Sequence, residues 1–313
     1  MISYITHSGT GRFTWLTMRP MSLYESADST GQVSLKDLFD KPDSLEGENN
    51  LNIDKLAFLI CRGGWPHAVG MREKIALAQA EDYYEAVIKS DINRADGVSK
   101  NPERVKRLLR SLARNQGAQI ANTMLKNDIV SNDTESLNED TIASYLNALK
   151  KIFVIEDMPA WNPNLRSKTS IRSSDTRYFV DPSIAVSALG AGPQDLINDL
   201  NTMGLLFETL CVRDLRVYAE KIGGSVLHYR DKSGLECDTV IHLKNGRYGL
   251  AEIKLGGQKL IEEGAANLKA LSNKIDTSKM LAPSFLMIII GVGEFAYKRE
   301  DGIFIVPIGC LKD

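Results

Sequence analysis

Asp238, Glu252 and Lys254 fall within "LECDTVIHLKNGRYGLAEIKLG", two runs of strand-forming residues joined around "KNG". Side chains alternate across a strand, so Glu252 and Lys254 share one face, while Ala251, Ile253 and Leu255 share the other. A three-residue loop at Lys244-Asn245-Gly246, a type I turn with Gly246 left-handed in a bulge, pairs Leu243 with Arg247. Counting back from that pair puts Asp238 directly opposite Glu252, with β-carbons about 5 Å apart. A two-residue Asn-Gly turn would put Asp238 on the wrong face. Two carboxylates that close repel each other and gain from a shared Mg²⁺ or Mn²⁺. A neighbouring lysine can then orient a water or stabilise a pentavalent phosphate, which is the chemistry of metal-assisted phosphodiester hydrolysis. The plain alternative stays open: Glu–Lys pairs two apart are common on solvated strand edges, and Asp238 can pair with Arg230.

The elements that must position these groups follow from the pattern around them. In "LLFETLCVRDLRVY" the helical neighbours of Glu208 at i+3, i+4 and i+7 are Cys211, Val212 and Leu215, an apolar face. A carboxylate there is expected to be buried and to need a partner. It would project from one long helix, or two in succession, over "LINDLNTMGLLFETLCVRDLRVYAEKIG". Strands are expected at "SVLHYRD", "LECDTVIHL", "RYGLAEIKL", "SFLMIIIG" and "GIFIVPI", with a helix at "LIEEGAANLKALSNKI". That order defines a small α/β layer structure.

Upstream, "FTWLTMRP" reads as a short strand and "DKPDSLEGENN" as a linker or exposed loop. "RGGWPHAVG" breaks structure at its Gly pair and has a Pro suited to a first helical turn. "REKIALAQAEDYYEAVIKSDI" places Ile75, Ala78, Tyr83, Val87 and Ile88 at spacings that suit one helix face. "NPERVKRLLRSLARNQG" starts a helix with Asn101 as N-cap and Pro102 at the first helical position, and ends at Gly117. "AQIANTMLKNDI" is a second helix. "NEDTIASYLNALKKIFVI" is a third, with Ile142, Leu146, Leu149 and Ile152 facing a core. Two strands, "FVIEDMPAW" and "RYFVDP", joined by the basic loop "NPNLRSKTSIRSSDTR", complete the order of a winged helix-turn-helix.

The chain of 313 residues is 43% hydrophobic and 25% charged, enough for two or three domains with real cores. Its formal net charge of -2 excludes a global field that would draw it to nucleic acid, so any such contact needs local patches. Lys100, Arg104, Lys106, Arg107, Arg110, Arg114 and Lys126 form one, near only Glu103 and Asp128. Arg166, Lys168, Arg172 and Arg177 form another in the expected wing. Ser144, Asn147 and Lys150 can face a groove from the third helix. This asymmetry fits a phosphate backbone, and equally a solvated face whose arginine stems cover apolar surface. Cys61, Cys211, Cys237 and Cys310 are scattered without a C-x-x-C pair, which argues against a zinc site and a disulfide framework and favours a reducing, cytoplasmic setting. The run "FLMIIIGVG" is far short of the roughly 20 residues of a membrane span, and no signal sequence opens the chain.

"LECDTV…AEIKLG" with an upstream helical acid resembles the PD-(D/E)XK nuclease superfamily. Asp238 stands at its acidic position, preceded by Cys237 rather than Pro, with Glu252-Ile253-Lys254 as its E-x-K and Glu208 as its first-helix acid. More widely, "RGGWP", "SDINR", "SYLNALKKIFVIEDMPAWNP", "YFVDPSIA", "LFETLCVRDLRVYA" and "YRDKSGLECDTV" together resemble the C-terminal region of prokaryotic AAA-type ATPases that carry a domain of unknown function. The resemblance covers nearly the whole chain. It implies a mixed α/β fold in four parts: the end of an AAA core at 1–45, a helical lid at 46–98, a winged helix at 99–190 and a nuclease-like domain at 191–313. It further implies a DNA-associated module with a Mg²⁺- or Mn²⁺-dependent nuclease site, or a non-catalytic assembly module with a relic nuclease fold.

No Gly-x-x-x-x-Gly-Lys-[Ser/Thr] loop occurs in the sequence, nor an apolar run ending in Asp-Glu. "HSGTGRFT" has the glycines of a phosphate loop but no lysine in place. By the same resemblance, "THSGTGRFTWLTMRPMSLYES" matches the end of an AAA core, with Arg12 where an arginine acting on a neighbouring subunit's nucleotide would sit. The expectation is therefore that the chain is the C-terminal part of a longer ATPase, with a misassigned start, a split gene or a natural remnant as the alternatives. ATP would be engaged only with an upstream core or a neighbouring subunit, and the chain would not hydrolyse ATP alone.

Overall fold

The computed structural model describes residues 11–14, 16–42, 45–130, 138–163 and 174–313. The fold is mixed α/β, and it is organised around the apolar strands of the last third. β8 (Leu286–Ile290, "LMIII") is buried along nearly its whole length, as a strand covered on both faces must be. It lies between β7 (Tyr248–Lys254) and β10 (Phe304–Pro307), parallel to both. β5 (Gly224–Arg230) and β6 (Glu236–Leu243) extend the sheet antiparallel beyond β7. β9 (Phe295–Lys298) and β2 (Gly47–Glu48) extend it antiparallel beyond β10, giving seven strands in the order β2-β9-β10-β8-β7-β6-β5.

The alternation of side chains separates two cores. Ala251, Ile253, Met287 and Ile289 join the larger one, with α10 (Leu200–Lys221). Leu250, Ile288, Ile290 and Ile305 join the smaller one, with α11 (Gln258–Lys274). Helix α10 is buried on almost every side, which marks it as central rather than amphipathic. The sequence leaves open one helix or two here. The chain forms α9 (Pro193–Asn198), then breaks at Asp199, whose carboxylate accepts from Thr202 N–H (3.1 Å) and caps α10.

The middle of the chain forms as the capping signals require. In α5 (Pro102–Arg114), Asn101 accepts from Glu103 N–H and Arg104 N–H, and Pro102 occupies the first turn. α6 (Asn122–Val130) follows, and then α7 (Glu139–Lys151), capped by Asn138. Ile142, Leu146 and Leu149 are buried as expected, while Ile152 is half-buried. β3 (Ile155–Met158) and β4 (Thr176–Phe179) pair antiparallel. α8 (Pro182–Leu189) closes at Gly190 in the left-handed conformation, φ 71°.

Several sequence expectations need correction. Among the described residues, 11–14 and 16–20 form no strand: Phe13, Leu16 and Met18 are exposed and unpaired in any sheet, so β-propensity there meets no partner strand. The stretch expected to be a linker contains β2, an edge strand of the main sheet. Pro66 lies in a turn rather than a first helical turn, since α2 (Ile53–Arg62) ends at Gly63 (φ 73°) and α3 starts at Glu73. The buried face of α3 (Glu73–Ala86) runs through Ala76, Ala80 and Tyr84 into a π turn at Val87 and Ile88 and the short α4 (Ile92–Arg94), leaving Ile75 exposed. Close packing selects the small residues at i, i+4 over the larger ones beside them.

The early elements pack onto the C-terminal part of the chain. β1 (Val33–Ser34) pairs parallel with β11 (Leu311–Lys312) in a separate two-stranded sheet, β2 pairs with β9 at the edge of the main sheet, and Phe39 of α1 (Leu35–Asp40) packs edge-on against Phe285 at 4.9 Å.

Candidate active site

The hairpin of β6 and β7 has the three-residue loop. Leu243 N–H donates to Arg247 O (2.8 Å), Gly246 N–H donates to Leu243 O (3.0 Å), and Gly246 takes φ 87°. The ladder runs His242↔Tyr248 to Thr239↔Ala251, so the next position brings Asp238 against Glu252. There the strands part. Asp238 Oδ2 accepts from the backbone N–H of Ile253 at 2.7 Å, replacing a ladder bond with a side chain.

Lys254 closes the cluster. Its Nζ stands 2.7 Å from Glu252 Oε2 and 3.1 Å from Asp238 Oδ2. Glu252 is 1% exposed, and its other oxygen, Oε1, is buried without a hydrogen-bond partner. It is the one carboxylate oxygen in that condition among the described residues. Glu252 lies on the α11 side of the sheet, where a Cβ placed on Gly264 would be 3.4 Å from its own Cβ.

Glu208 comes from α10, on the other side. Tyr178 of β4 donates its hydroxyl to Glu208 Oε1 at 2.6 Å. Glu208 and Lys254 both line a cleft of about 540 Å³ whose remaining walls are largely aliphatic, Leu200, Leu205, Ile253, Leu255, Leu260 and Val292 among them. Burial and then the charge of Asp238 push the Glu208 carboxyl well above the usual carboxylate range, against the pull of Tyr178 and Lys254. The same two causes raise Glu252. Burial works against the charge of Lys254, but Asp238 and Glu252 outweigh it and raise its pKa.

Two carboxylates, Asp238 and Glu252, thus meet on the Lys254 ammonium group at a sheet end, and Glu208 lines the same cleft as Lys254 from α10. Among the described residues, no group of three or more His, Cys, Asp or Glu stands close enough to hold a metal ion. The donor set nevertheless fits a hard divalent cation. Carboxylate oxygens are the right ligands, and the orphaned Glu252 Oε1 lacks the partner that a cation would supply.

The basic residues divide. On α5, Arg104, Arg107, Arg110 and Arg114 lie along the stripe opposite buried Val105, Leu108, Leu109 and Leu112. Arg110 and Arg114 are exposed, whereas Arg107 donates to Ile129 O (2.9 Å) at the end of α6. Lys100 is buried, paired with Asp96 at 2.6 Å, and is lost to a phosphate surface. Lys150 and Arg177 both pair with Asp157: Lys150 ties the hairpin to α7, and Arg177 bridges its two strands. Arg166, Lys168 and Arg172 lie outside the described residues, and Arg12 is exposed in a turn.

Sequence reasoning missed a second buried cluster. Arg213 pairs with Asp181 (2.8 Å) and Asp214 (2.7 Å) in the interior. Asp181 also accepts from Gly64 N–H, Ser183 N–H and Ser183 Oγ–H, and Asp214 from Leu23 N–H. The signal was present: "VRDL" sets an arginine and an aspartate side by side in an otherwise apolar helix face. Tyr178 was missed too, and nothing in its local sequence marks it.

Residues 203–311 match a family described as a domain of unknown function, DUF4143. Residues 53–195 match another, DUF8612, which spans both the helical stretch and the three-helix-and-hairpin stretch that the sequence divides at residue 98. No curated protein and no solved structure matches the chain. Among the described residues, no helix is long and apolar enough to cross a membrane.

Proposed function

We propose that the chain is a DNA-associated module of an AAA-type ATPase, with a divalent-metal-dependent, nuclease-like site at Asp238, Glu252 and Lys254 and with Glu208 as the helix acid. The single observation that carries the reading is Glu252 Oε1: a buried carboxylate oxygen with no partner, beside a second carboxylate and a lysine, is expensive to fold, and a divalent cation held there would supply the partner it lacks. The DUF4143 match supports the resemblance on which the ATPase partnership rests. In this reading residues 191–313 are the nuclease-like domain and 99–190 a winged helix that presents the exposed arginines of α5 to the phosphate backbone. Mg²⁺ or Mn²⁺ would be held by Asp238 and Glu252 and would supply Lewis-acid stabilisation of a phosphoryl oxygen. ATP would be engaged only alongside an AAA core, with Arg12 directed at a neighbouring subunit's nucleotide.

The purified chain is expected to nick DNA when Mn²⁺ is added, and to stop doing so as Glu252→Ala or Lys254→Ala. Folded protein that binds Mn²⁺ yet cleaves neither DNA nor RNA would sink the enzymatic reading. One observation favours the alternative, a non-catalytic assembly module: Lys254 already bridges Asp238 and Glu252. That reading predicts salt-sensitive DNA binding without turnover, lost on charge reversal at Arg107 and Arg110.

A further inference from the structure

Glu208 owes its position to a residue from outside the C-terminal match. We propose that Tyr178 is a positioning residue for the candidate site: its hydroxyl holds Glu208 Oε1 in place beside Asp238 and Lys254, and so ties the site to the hairpin and to the end of the basic helix. The proposal rests on the nuclease-like reading for its purpose, though its geometry stands without it.

The tie is built from bonds that leave little slack. Tyr178 is 2% exposed, and its hydroxyl donates to Glu208 Oε1 at 2.6 Å. The guanidinium of Arg216, two turns along α10 from Glu208, lies 5.8 Å from the Tyr178 ring centre. Beside them, the chain leaving α5 turns at Gly117 with φ 69°, and the Gly117 N–H donates to Arg177 O at 3.1 Å. A Cβ at Gly117 would lie 2.6 Å from Glu208 Oε1 and 2.8 Å from the Tyr178 hydroxyl. Only glycine fits this approach, by its space and by its backbone angle. The preceding residue, Gln116, completes the joint. It is buried, its Oε1 accepts from Phe179 N–H (2.9 Å) and from the hydroxyl of Thr209 (3.3 Å), and its Nε2 donates to Leu112 O (2.7 Å) within α5. The helix that carries Arg104, Arg107, Arg110 and Arg114 therefore ends on the two residues, Gln116 and Gly117, that touch Thr209 and Glu208. The end of that helix is thus joined to α10 beside Glu208 by one amide side chain and packed at Gly117 against the Tyr178–Glu208 pair.

The test is a ¹³C NMR titration of the Glu208 side-chain carboxyl in the full chain, assigned with Glu208→Gln. Tyr178→Phe removes a hydrogen bond to the charged form and nothing else, so the Glu208 pKa is expected to rise by about one pH unit, roughly tenfold in proton affinity. Gly117→Ala, which forces Tyr178 and Glu208 apart, is expected to shift it the same way. Gly70→Ala, at another glycine of positive φ (78°) with open space around it, controls for backbone strain and is expected to leave it unmoved. An unchanged Glu208 pKa in Tyr178→Phe would overturn the proposal. The titration needs neither metal nor DNA, so absent cleavage would remove the nuclease reading and leave this one standing.

Discussion

Arg213 and Lys254 are both cations set between two carboxylates, but their surroundings differ in kind. Around Arg213 all four carboxylate oxygens of Asp181 and Asp214 accept a hydrogen bond, from backbone N–H groups, a serine, a tyrosine or the guanidinium. Its partners come from the first segment of the chain, the end of α2, the start of α8 and α10. Around Lys254 one oxygen of Glu252 has no partner, and two glutamates are raised above their usual range. A buried ion cluster that satisfies every atom holds segments together, whereas one that leaves an atom without a partner carries an uncompensated cost in the folded state.

Removing each cation should separate them. Arg213→Met leaves two buried aspartates uncompensated and is expected to cost about 3–5 kcal/mol in urea unfolding, or to prevent folding outright. A loss under 1 kcal/mol would mean that the cluster is not the staple described. Lys254→Met leaves Asp238 and Glu252 facing each other and should cost about 1–3 kcal/mol at pH 8. The cost should shrink at pH 5, where Glu252 is protonated and the repulsion is gone.

Glu252→Gln should do the opposite. The folded-state pKa of Glu252 lies above its unfolded value, so the native state binds the extra proton between them and wild-type stability falls as pH rises through that window. Burial raises Asp214 in the same direction despite Arg213 beside it, so the effect is read as a difference between wild type and variant. Without metal, Glu252→Gln should be about 1 kcal/mol more stable than wild type at pH 9 and equal to it at pH 5. Mn²⁺ should raise the wild-type Tm and leave the Glu252→Gln Tm unchanged; equal shifts would place the ion elsewhere. The smallest effect on stability, within about 0.5 kcal/mol, is expected for Arg110→Glu with Arg114→Glu, both exposed. That pair should still abolish salt-sensitive binding of duplex DNA in a polarisation titration, and intact binding would move the interface off α5.

The register of Asp238 against Glu252 was legible because one glycine in a three-residue loop fixes a whole hairpin. The starts of α5 and α7 were legible for the same local reason, an asparagine cap. What depended on distant partners was not. Residues 11–14 and 16–18 are exposed and include strand-forming side chains, but they have no neighbouring strand to pair with among the described residues. β1, β2 and β11 are two-residue strands whose pairing no periodicity can announce. The site itself was half visible: spacing gave the sheet carboxylates, but the lysine bridge, the orphaned oxygen and Tyr178 exist only once β4, α10 and the sheet have met.

Strands β1 and β2 find their partners in β11 and β9, more than 240 residues further along the chain. During synthesis these first segments leave the ribosome long before anything can pair with them. The edge of the main sheet therefore cannot close at β2 before β9 has been made, and the apolar residues of α1, Leu35, Leu38 and Phe39, precede the Phe285 that Phe39 packs against by more than 240 residues. Such long-range closure slows folding and prolongs exposure to aggregation. Yield from a cell should accordingly be limited by this late event rather than by the stability of the finished fold.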